Sequence, residues 1–259
     1  MVSAFVLRPV WMELYDGGSA AAPLILFAVW AVLLFGGFAF GPTTSDRTRR
    51  MPTWTRMGSS FILVVTAWLW YTFTRQSPVG TYALLIAVGM SCGCLGDLIL
   101  ASVIPLKEPV LGGILAFGLG HVAYLLATLF WGSHFGLAAP PPRFSMLTAW
   151  LLIGLAGWYV VILRGHKPST LHWASLPYAL LLASVAGLFS GLALQSAAFL
   201  PAALGAALFL VSDLILANQL FNGRIFPLIG DVVWLTYGPA QALIVASVAG
   251  ALQVAHLIA

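Results

Sequence analysis

Residues 80–104 of the chain read GTYALLIAVGMSCGCLGDLILASVI, a continuous apolar run that contains one charged side chain, Asp97. About 20 apolar residues are enough for a helix to span a bilayer, so this run predicts a transmembrane helix. A carboxylate in hydrocarbon costs roughly 2.5–3.5 kcal/mol on insertion scales and usually marks a functional site that faces a polar cavity. The six residues Gly96–Ala101 recur almost unchanged as Ser212–Ala217, where the acid is Asp213.

The composition places the chain in a membrane. Of its 259 residues, 61% are apolar and 7% are charged, whereas a soluble domain carries about 25% charged residues. The apolar runs are continuous rather than alternating, which excludes a β-barrel. No basic stripe with interleaved aromatic residues is present, so no nucleic-acid partner is predicted. We therefore predict an all-α, polytopic transmembrane helical bundle in which residues 1–259 form a single integral membrane domain.

Eight apolar runs are separated by segments rich in Pro, Gly and charged residues. They predict transmembrane helices near 20–40, 59–75, 80–104, 111–131, 144–163, 173–194, 198–221 and 228–257. The boundary near Gln195 is short and uncharged, and is the least clearly marked. Residues 1–18 are compatible with a short interfacial segment that holds Trp11 and Tyr15 at the level of the lipid headgroups.

The positively charged residues predict the orientation. One side of the predicted bundle collects Arg47, Arg49, Arg50, Arg56, Lys107, Arg164, Lys167 and Arg224. The other side has Arg8, Arg75 and Arg143. Because positive residues of short loops stay in the cytoplasm, we expect the first side to be cytoplasmic and both termini to be non-cytoplasmic.

The two aspartate segments indicate an internal repeat. The offset that aligns Asp97 with Asp213 also aligns Gly89 with Gly205, without a gap. It maps the third predicted helix onto the seventh and the fourth onto the eighth. Each unit then holds four helices, so the halves, about 20–131 and 144–257, would run parallel. Identity outside the shared Asp-Leu-Ile-Leu-Ala run is low, and a chance match between helices rich in Leu and Ala is the alternative.

Several polar side chains are predicted at the depth of the aspartates. With a rise of about 1.5 Å per residue, Asp97 lies about 10 Å from the cytoplasmic end of its helix and His121 about 15 Å from the same side. Asp213 and Tyr237 are placed similarly, so we expect all four in the cytoplasmic half of the bilayer. The other candidate site residues are Tyr124, Tyr178, Asn218 and Gln241.

Each of these residues also has a structural interpretation. A membrane aspartate can be buried and hydrogen-bonded to Tyr or Gln, and a lone histidine such as His121 is more often a satisfied interior residue than a ligand. The tyrosines could be packing residues, and Gln241 and Asn218 could join helices by hydrogen bonds. Asp231 is interpreted as a charge at the N-terminus of the eighth helix. No short ligand spacing such as H-x-x-x-H is present, so no metal site is predicted.

Two neighbouring carboxyl groups suit acid–base chemistry. Their protons leave in separate steps, so that one group is available as an acid while the other serves as a base. Such a pair can protonate a substrate and activate a water molecule. The site is expected to open to apolar helix faces, which makes a lipid the natural substrate.

Five short motifs follow one another along the chain. They are Gly96-Asp97, FGLGHVAY at 117–124, LPY at 176–178, FLVSDLILA at 209–217 and YGPAQALI at 237–244. In order and spacing they resemble the YhhN-like lysoplasmalogenase family of eight-span membrane proteins, over about residues 50–247. The chain departs from the family pattern at Met51-Pro52, where the family has Lys-Pro, and at Gly238-Pro239, where the family usually has bulkier residues.

The resemblance implies hydrolysis of the vinyl ether bond of lysoplasmalogens, which are lysophospholipids of the membrane. The products would be a fatty aldehyde and glycerophosphocholine or glycerophosphoethanolamine, and no metal or organic cofactor would be required. We expect Asp97 and Asp213 to act as acid and base, in an order that the sequence leaves open. The residues expected to position water and substrate are His121, Tyr124, Tyr178, Asn218, Tyr237 and Gln241.

Two other classes of function would use the same acids. Parallel repeats with acids near the midplane also suit a proton-coupled transporter. In a lipid-binding or structural membrane protein, the aspartates would join helices by hydrogen bonds. A pH-dependent flux without product formation would favour the transporter, and retained function after replacement of both acids would favour the structural protein.

Overall fold

Eight long helices make up the part of the chain that the computed structural model describes, residues 21–258. They are α1 Ala21–Phe40, α2 Thr53–Thr74, α3 Gly80–Leu100, α4 Pro109–His134, α5 Pro140–Leu163, α6 Thr170–Gln195, α7 Ala197–Asn222 and α8 Ile229–Leu257. Each is long and apolar enough to cross a membrane, which confirms the predicted all-α transmembrane class. The interfacial segment considered for residues 1–18 lies outside the described residues.

Two helices begin earlier than the sequence predicts. α2 begins at Thr53 rather than near residue 59. Arg56 therefore belongs to the helix rather than to the loop before it, and its guanidinium lies over the ring of Trp234. α5 begins at Pro140 rather than near residue 144, because the first helical positions need no backbone N–H donor and therefore accept proline. A charged residue and a run of prolines thus mark the first turns of these helices, and not the loops before them.

Six helices enclose the interior of the bundle. Contacts run from α2 to α3, α4, α6 and α7 in this order, and α8 closes the ring against α2 and α3. α1 and α5 lie outside the ring, packed mainly on α2 and α6, and they have the smallest shares of buried residues. The similar places of α1 and α5 fit a four-plus-four arrangement, but the internal repeat stays a prediction.

Glycines allow close helix crossings in both halves. A Cβ on Gly89 of α3 would lie 2.3 Å from the ring of Tyr124 on α4. A Cβ on Gly205 of α7 would lie 2.7 Å from the carbonyl oxygen of Ala240 on α8. Transmembrane helices associate through such small residues, because close backbone approach strengthens their packing. The crossing of α3 and α4 brings the Tyr124 side chain against the polar residues of the interior.

A buried carboxylate ties the loop between α1 and α2 to the start of α8. Asp231 is 0% exposed and accepts hydrogen bonds from the backbone N–H groups of Arg50 at 2.5 Å and Met51 at 2.9 Å. The backbone N–H of Leu228 also donates to the carbonyl oxygen of Arg47, at 2.9 Å. Asp231 does lie in the first turn of α8, as expected from the sequence. Its role extends beyond that of a terminal charge, because it satisfies two donors of another segment.

Asp46 shapes the same loop, outside the membrane-spanning helices. Its carboxylate accepts hydrogen bonds from the hydroxyl of Thr44 at 2.6 Å and from the backbone N–H and hydroxyl of Thr48 at 3.1 and 2.9 Å. These donors lower the pKa of Asp46 to about 2, because they stabilise its ionised form. The loop is therefore built around a side chain that stays negatively charged at neutral pH.

The order of the helices places four loops at one end of the bundle. They are 41–52, 101–108, 164–169 and 223–228. These loops carry most of the positive residues that predict the cytoplasmic side. The orientation of this end in the membrane stays a prediction.

Candidate active site

A cavity of about 510 Å³ lies within the bundle, between the helices of the ring and α5. Its walls come from α2 to α8 and from Thr48 and Arg49 of the loop between α1 and α2. Apolar side chains form most of the lining, among them Phe117, Leu182 and Leu210. The volume is typical of a small-molecule site, and the apolar walls suit the hydrocarbon part of a lipid.

Asp97 of α3 lies in the wall of this cavity and is held by two other helices. Its Oδ2 accepts hydrogen bonds from the hydroxyl of Ser60 on α2 at 2.5 Å and from the hydroxyl of Tyr237 on α8 at 2.9 Å. The residue is 4% exposed. Within residues 21–258, no group donates a hydrogen bond to the other oxygen, Oδ1. Among the described residues, Asp97 therefore has one oxygen that accepts two hydrogen bonds and one oxygen without a donor.

Hydrogen bonds continue from Asp97 through α8 to α4. The hydroxyl of Tyr237 accepts from Nε2 of Gln241 at 3.2 Å, and Oε1 of Gln241 accepts from the hydroxyl of Tyr124 at 2.8 Å. Gln241 and Tyr124 are each 1% exposed and lie behind the cavity wall rather than in it. The structure thus brings both residues into the site, where they orient the Tyr237 hydroxyl toward Asp97.

Asp213 lines the same cavity from α7. Its Oδ2 accepts a hydrogen bond from the hydroxyl of Tyr178 on α6, which also lines the cavity. Tyr178 is the one donor that residues 21–258 provide to this carboxyl group, whereas Asp97 has two. The sequence places the two aspartates at similar depth but leaves their direction open. In the structure both face one space.

His121 lies behind the cavity wall. Its Nδ1 donates to the carbonyl oxygen of Phe117 at 2.8 Å, and its ring packs edge-on against Phe209, with the ring centroids 4.5 Å apart. The ring centroid of Tyr178 lies 5.9 Å away. His121 is 3% exposed and matches the interpretation as a satisfied interior histidine that supports the rings around the site.

Asn218 is not brought to either aspartate. Its Oδ1 accepts a hydrogen bond from Nδ2 of Asn222 at 2.9 Å. Asn222 also donates to the carbonyl oxygen of Val161 at 2.7 Å and bonds to His166 at 2.8 Å. The neighbours Ala217 and Gln219 line the cavity, but Asn218 points to this polar cluster between α5 and α7. The structure gives no support for its expected contact with the substrate.

Three residues of the site were not among those the sequence pointed to. Ser60 donates to Asp97, and Arg56 and Trp234 line the cavity beside it. Arg56 and Ser60 are four residues apart and share one face of α2. The i,i+4 spacing of Arg56 and Ser60 indicates a shared helix face only if α2 begins at Thr53. A helix that began near residue 59 would leave Arg56 in the loop.

Comparison with known proteins gives one match. The model of the YhhN family matches residues 51–248. No curated protein and no solved structure matches the chain. The matched segment covers α2 to α7 and most of α8, and it contains both aspartates and all the side chains that bond to them.

Proposed function

Because the chain belongs to the YhhN family, we propose that it is a membrane-embedded hydrolase that cleaves the vinyl ether bond of lysoplasmalogens. The products are a fatty aldehyde and glycerophosphocholine or glycerophosphoethanolamine. The observation that carries the proposal is the presence of Asp97 and Asp213 in the wall of one largely apolar cavity. Such a pair supplies an acid and a base beside a space that suits a lipid.

Hydrolysis of a vinyl ether needs an acid and a base in turn. The acid transfers its proton to the β-carbon of the double bond, which leaves an oxocarbenium ion at the carbon next to oxygen. A water molecule gives a proton to the base and adds to this carbon, forming a hemiacetal. The base then returns its proton to the glycerol oxygen while the first carboxylate takes the hydroxyl proton. The aldehyde and the glycerol alcohol separate, and both carboxyl groups are restored.

The hydrogen bonds favour one assignment of the two roles. Donors aimed at a carboxylate favour its ionised form. Asp97 receives two donors and Asp213 one. We therefore assign Asp97 to stabilisation of the oxocarbenium ion and activation of water, and Asp213 to protonation of the β-carbon. Tyr237 and Tyr178 hold the two carboxyl groups in position.

The proposal is tested by release of fatty aldehyde from a lysoplasmalogen, with the full chain purified in detergent. The control substrate is the alkyl-ether lysophospholipid of the same chain length and headgroup, which lacks the double bond that the acid must protonate. We expect aldehyde from the vinyl ether alone. Folded protein that releases no aldehyde with either the choline or the ethanolamine headgroup would contradict the proposal. A pH-dependent flux in proteoliposomes would then favour the transporter.

Replacement of Ser60 by Ala is expected to lower kcat for the vinyl ether substrate. The change removes one of the two donors that hold Asp97, and the loss of a hydrogen bond to a charged group corresponds to about tenfold. Ser184→Ala is the matched control, since the Ser184 hydroxyl bonds only to the carbonyl oxygen of Leu180 in its own helix. Equal kcat values for the two variants would contradict the role assigned to Asp97.

A further inference from the structure

The cavity holds a second polar layer, one helical turn from Asp97. Arg56 precedes Ser60 by four residues on α2, and Trp234 precedes Tyr237 by three on α8. Residues at these spacings share a helix face. Since Ser60 and Tyr237 both bond to Asp97, Arg56 and Trp234 form a layer about 4.5–6 Å nearer the loops.

Within residues 21–258, the Arg56 guanidinium forms no salt bridge, and Asp97 and Asp231 are the acids that interact with it over a longer distance. The guanidinium carbon of Arg56 lies 5.5 Å from the centroid of the Trp234 ring, and Nη2 donates to the hydroxyl of Thr53 at 3.2 Å. Its Nε is buried and has no hydrogen-bond partner in the described part of the chain. Both carboxylate oxygens of Asp231 already accept hydrogen bonds, from the backbone N–H groups of Arg50 and Met51. A cation in a partly apolar cavity, with an unused donor, is suited to bind an anionic ligand.

Arg49 adds a second positive charge to the same wall. It lies in the loop between α1 and α2 and lines the cavity together with Arg56. Its backbone carbonyl oxygen accepts hydrogen bonds from Thr44, which fixes the loop. Its side chain forms no hydrogen bond or salt bridge among residues 21–258, and Asp46 of the same loop interacts with it electrostatically over a longer distance. The mouth of the cavity therefore offers two guanidinium groups above a pair of carboxyl groups.

We propose that Arg49 and Arg56 bind the phosphate of the substrate headgroup, a phosphodiester, and so select lysophospholipids over lipids with a neutral glycerol headgroup. This inference rests on the proposed function. In the substrate, the three-carbon glycerol backbone separates the ether oxygen from the phosphate by about one helical turn. This separation is similar to that of the two layers, so a phosphate at Arg56 would place the vinyl ether near Asp97. Trp234 holds the Arg56 guanidinium in place through a cation–π contact.

Binding of two unreactive lipids tests the proposal without catalysis. One is the alkyl-ether lysophospholipid, and the other is the alkyl glycerol of the same chain length, which has no phosphate. Arg56→Gln is expected to weaken binding of the lysophospholipid about tenfold or more and to leave binding of the alkyl glycerol unchanged. Arg49→Gln should act in the same direction, and Arg56→Lys should retain part of the affinity. Arg75→Gln, at the opposite end of α2, is the matched control and should change neither.

The outcomes separate this proposal from its alternatives. Equal loss of both lipids in folded Arg56→Gln protein, or no loss of either, would overturn it. Inorganic phosphate is expected not to displace the lysophospholipid at millimolar concentration, and displacement that depends on Arg56 would identify a soluble phosphate as the ligand instead. Neither lipid can react, so these binding measurements do not depend on catalysis. Missing aldehyde release would refute the proposed function alone. If wild type and Arg56→Gln prefer the lysophospholipid over the alkyl glycerol to the same degree, the headgroup site alone would be refuted.

Discussion

Asp97→Asn and Asp213→Asn are each expected to lower kcat for aldehyde release by about 10²–10⁴-fold, the contribution usual for general acid–base catalysis. Asparagine has the shape of aspartate and still accepts a hydrogen bond from a tyrosine, but it can neither transfer a proton nor carry the negative charge. The measurement is the initial rate of aldehyde release at saturating lysoplasmalogen, with the amount of folded protein set by size-exclusion chromatography.

The two variants need evidence that the fold survives. Binding of the unreactive alkyl-ether lysophospholipid should persist in both, because neither change touches the arginines or the apolar walls. Glu108→Gln is the matched control, an acid-to-amide change at the exposed start of α4, and should keep full activity. An asparagine variant at either site that binds the lipid and turns over near the wild-type rate would show that the two-carboxyl scheme is wrong.

Asp231→Ala is expected to have the largest effect on stability. The carboxylate is buried, and its removal leaves the backbone N–H groups of Arg50 and Met51 without their acceptor. Unsatisfied buried donors cost about 1–3 kcal/mol each, so the loss of the acceptor for two donors is expected to lower the free energy of unfolding by about 2–6 kcal/mol. The readout is the thermal unfolding midpoint in detergent, which should fall on the order of 10 °C.

A graded pair of variants tests the cause of this effect. Asp231→Asn keeps one acceptor oxygen and should lose less stability than Asp231→Ala, since one of the two backbone donors can still be satisfied. Asp231→Ala with an unchanged unfolding midpoint would mean that the loop is held by its backbone hydrogen bonds to 228–230 alone.

The sequence predicts the class of fold because a membrane-spanning helix is recognised from the apolar residues of its own segment, without knowledge of tertiary contacts. Eight apolar runs become eight helices, and even the weakly marked boundary near Gln195 separates α6 from α7. The starts of α2 and α5 are less predictable, because Arg56 and Pro140 are typical of loops as well as of first helical turns. Which of these a residue adopts depends on its tertiary partner, as with Arg56 and the ring of Trp234.

The site is predictable in depth but not in direction. Sequence position fixes how far along a helix a residue lies, and it predicts a similar depth for Tyr237 and Asp97, which the structure joins by a hydrogen bond. Asn218 shows the limit, since it lies close to Asp213 along α7 and yet points to Asn222. Ser60 is the opposite case, a site residue that the sequence does not predict. A serine in an apolar helix gives no indication of a functional role until its partner, here Asp97, is known. The rotation of each helix about its axis is set by packing. Because all faces of these helices are similarly apolar, the sequence does not show which face turns toward the interior.

α1 contributes no side chain to the cavity, and it precedes the segment that matches the family. Its contacts with the ring are packing contacts, with Leu34 against Gly238 and Gly37 against Thr55. The cavity and the exposed face of α1 thus lie on different stretches of the chain. Substitutions that adapt the exposed face of α1 to a thicker or thinner membrane would leave the acids untouched. The exposed face of α1 can therefore change with the thickness of the host membrane without altering the lining of the cavity.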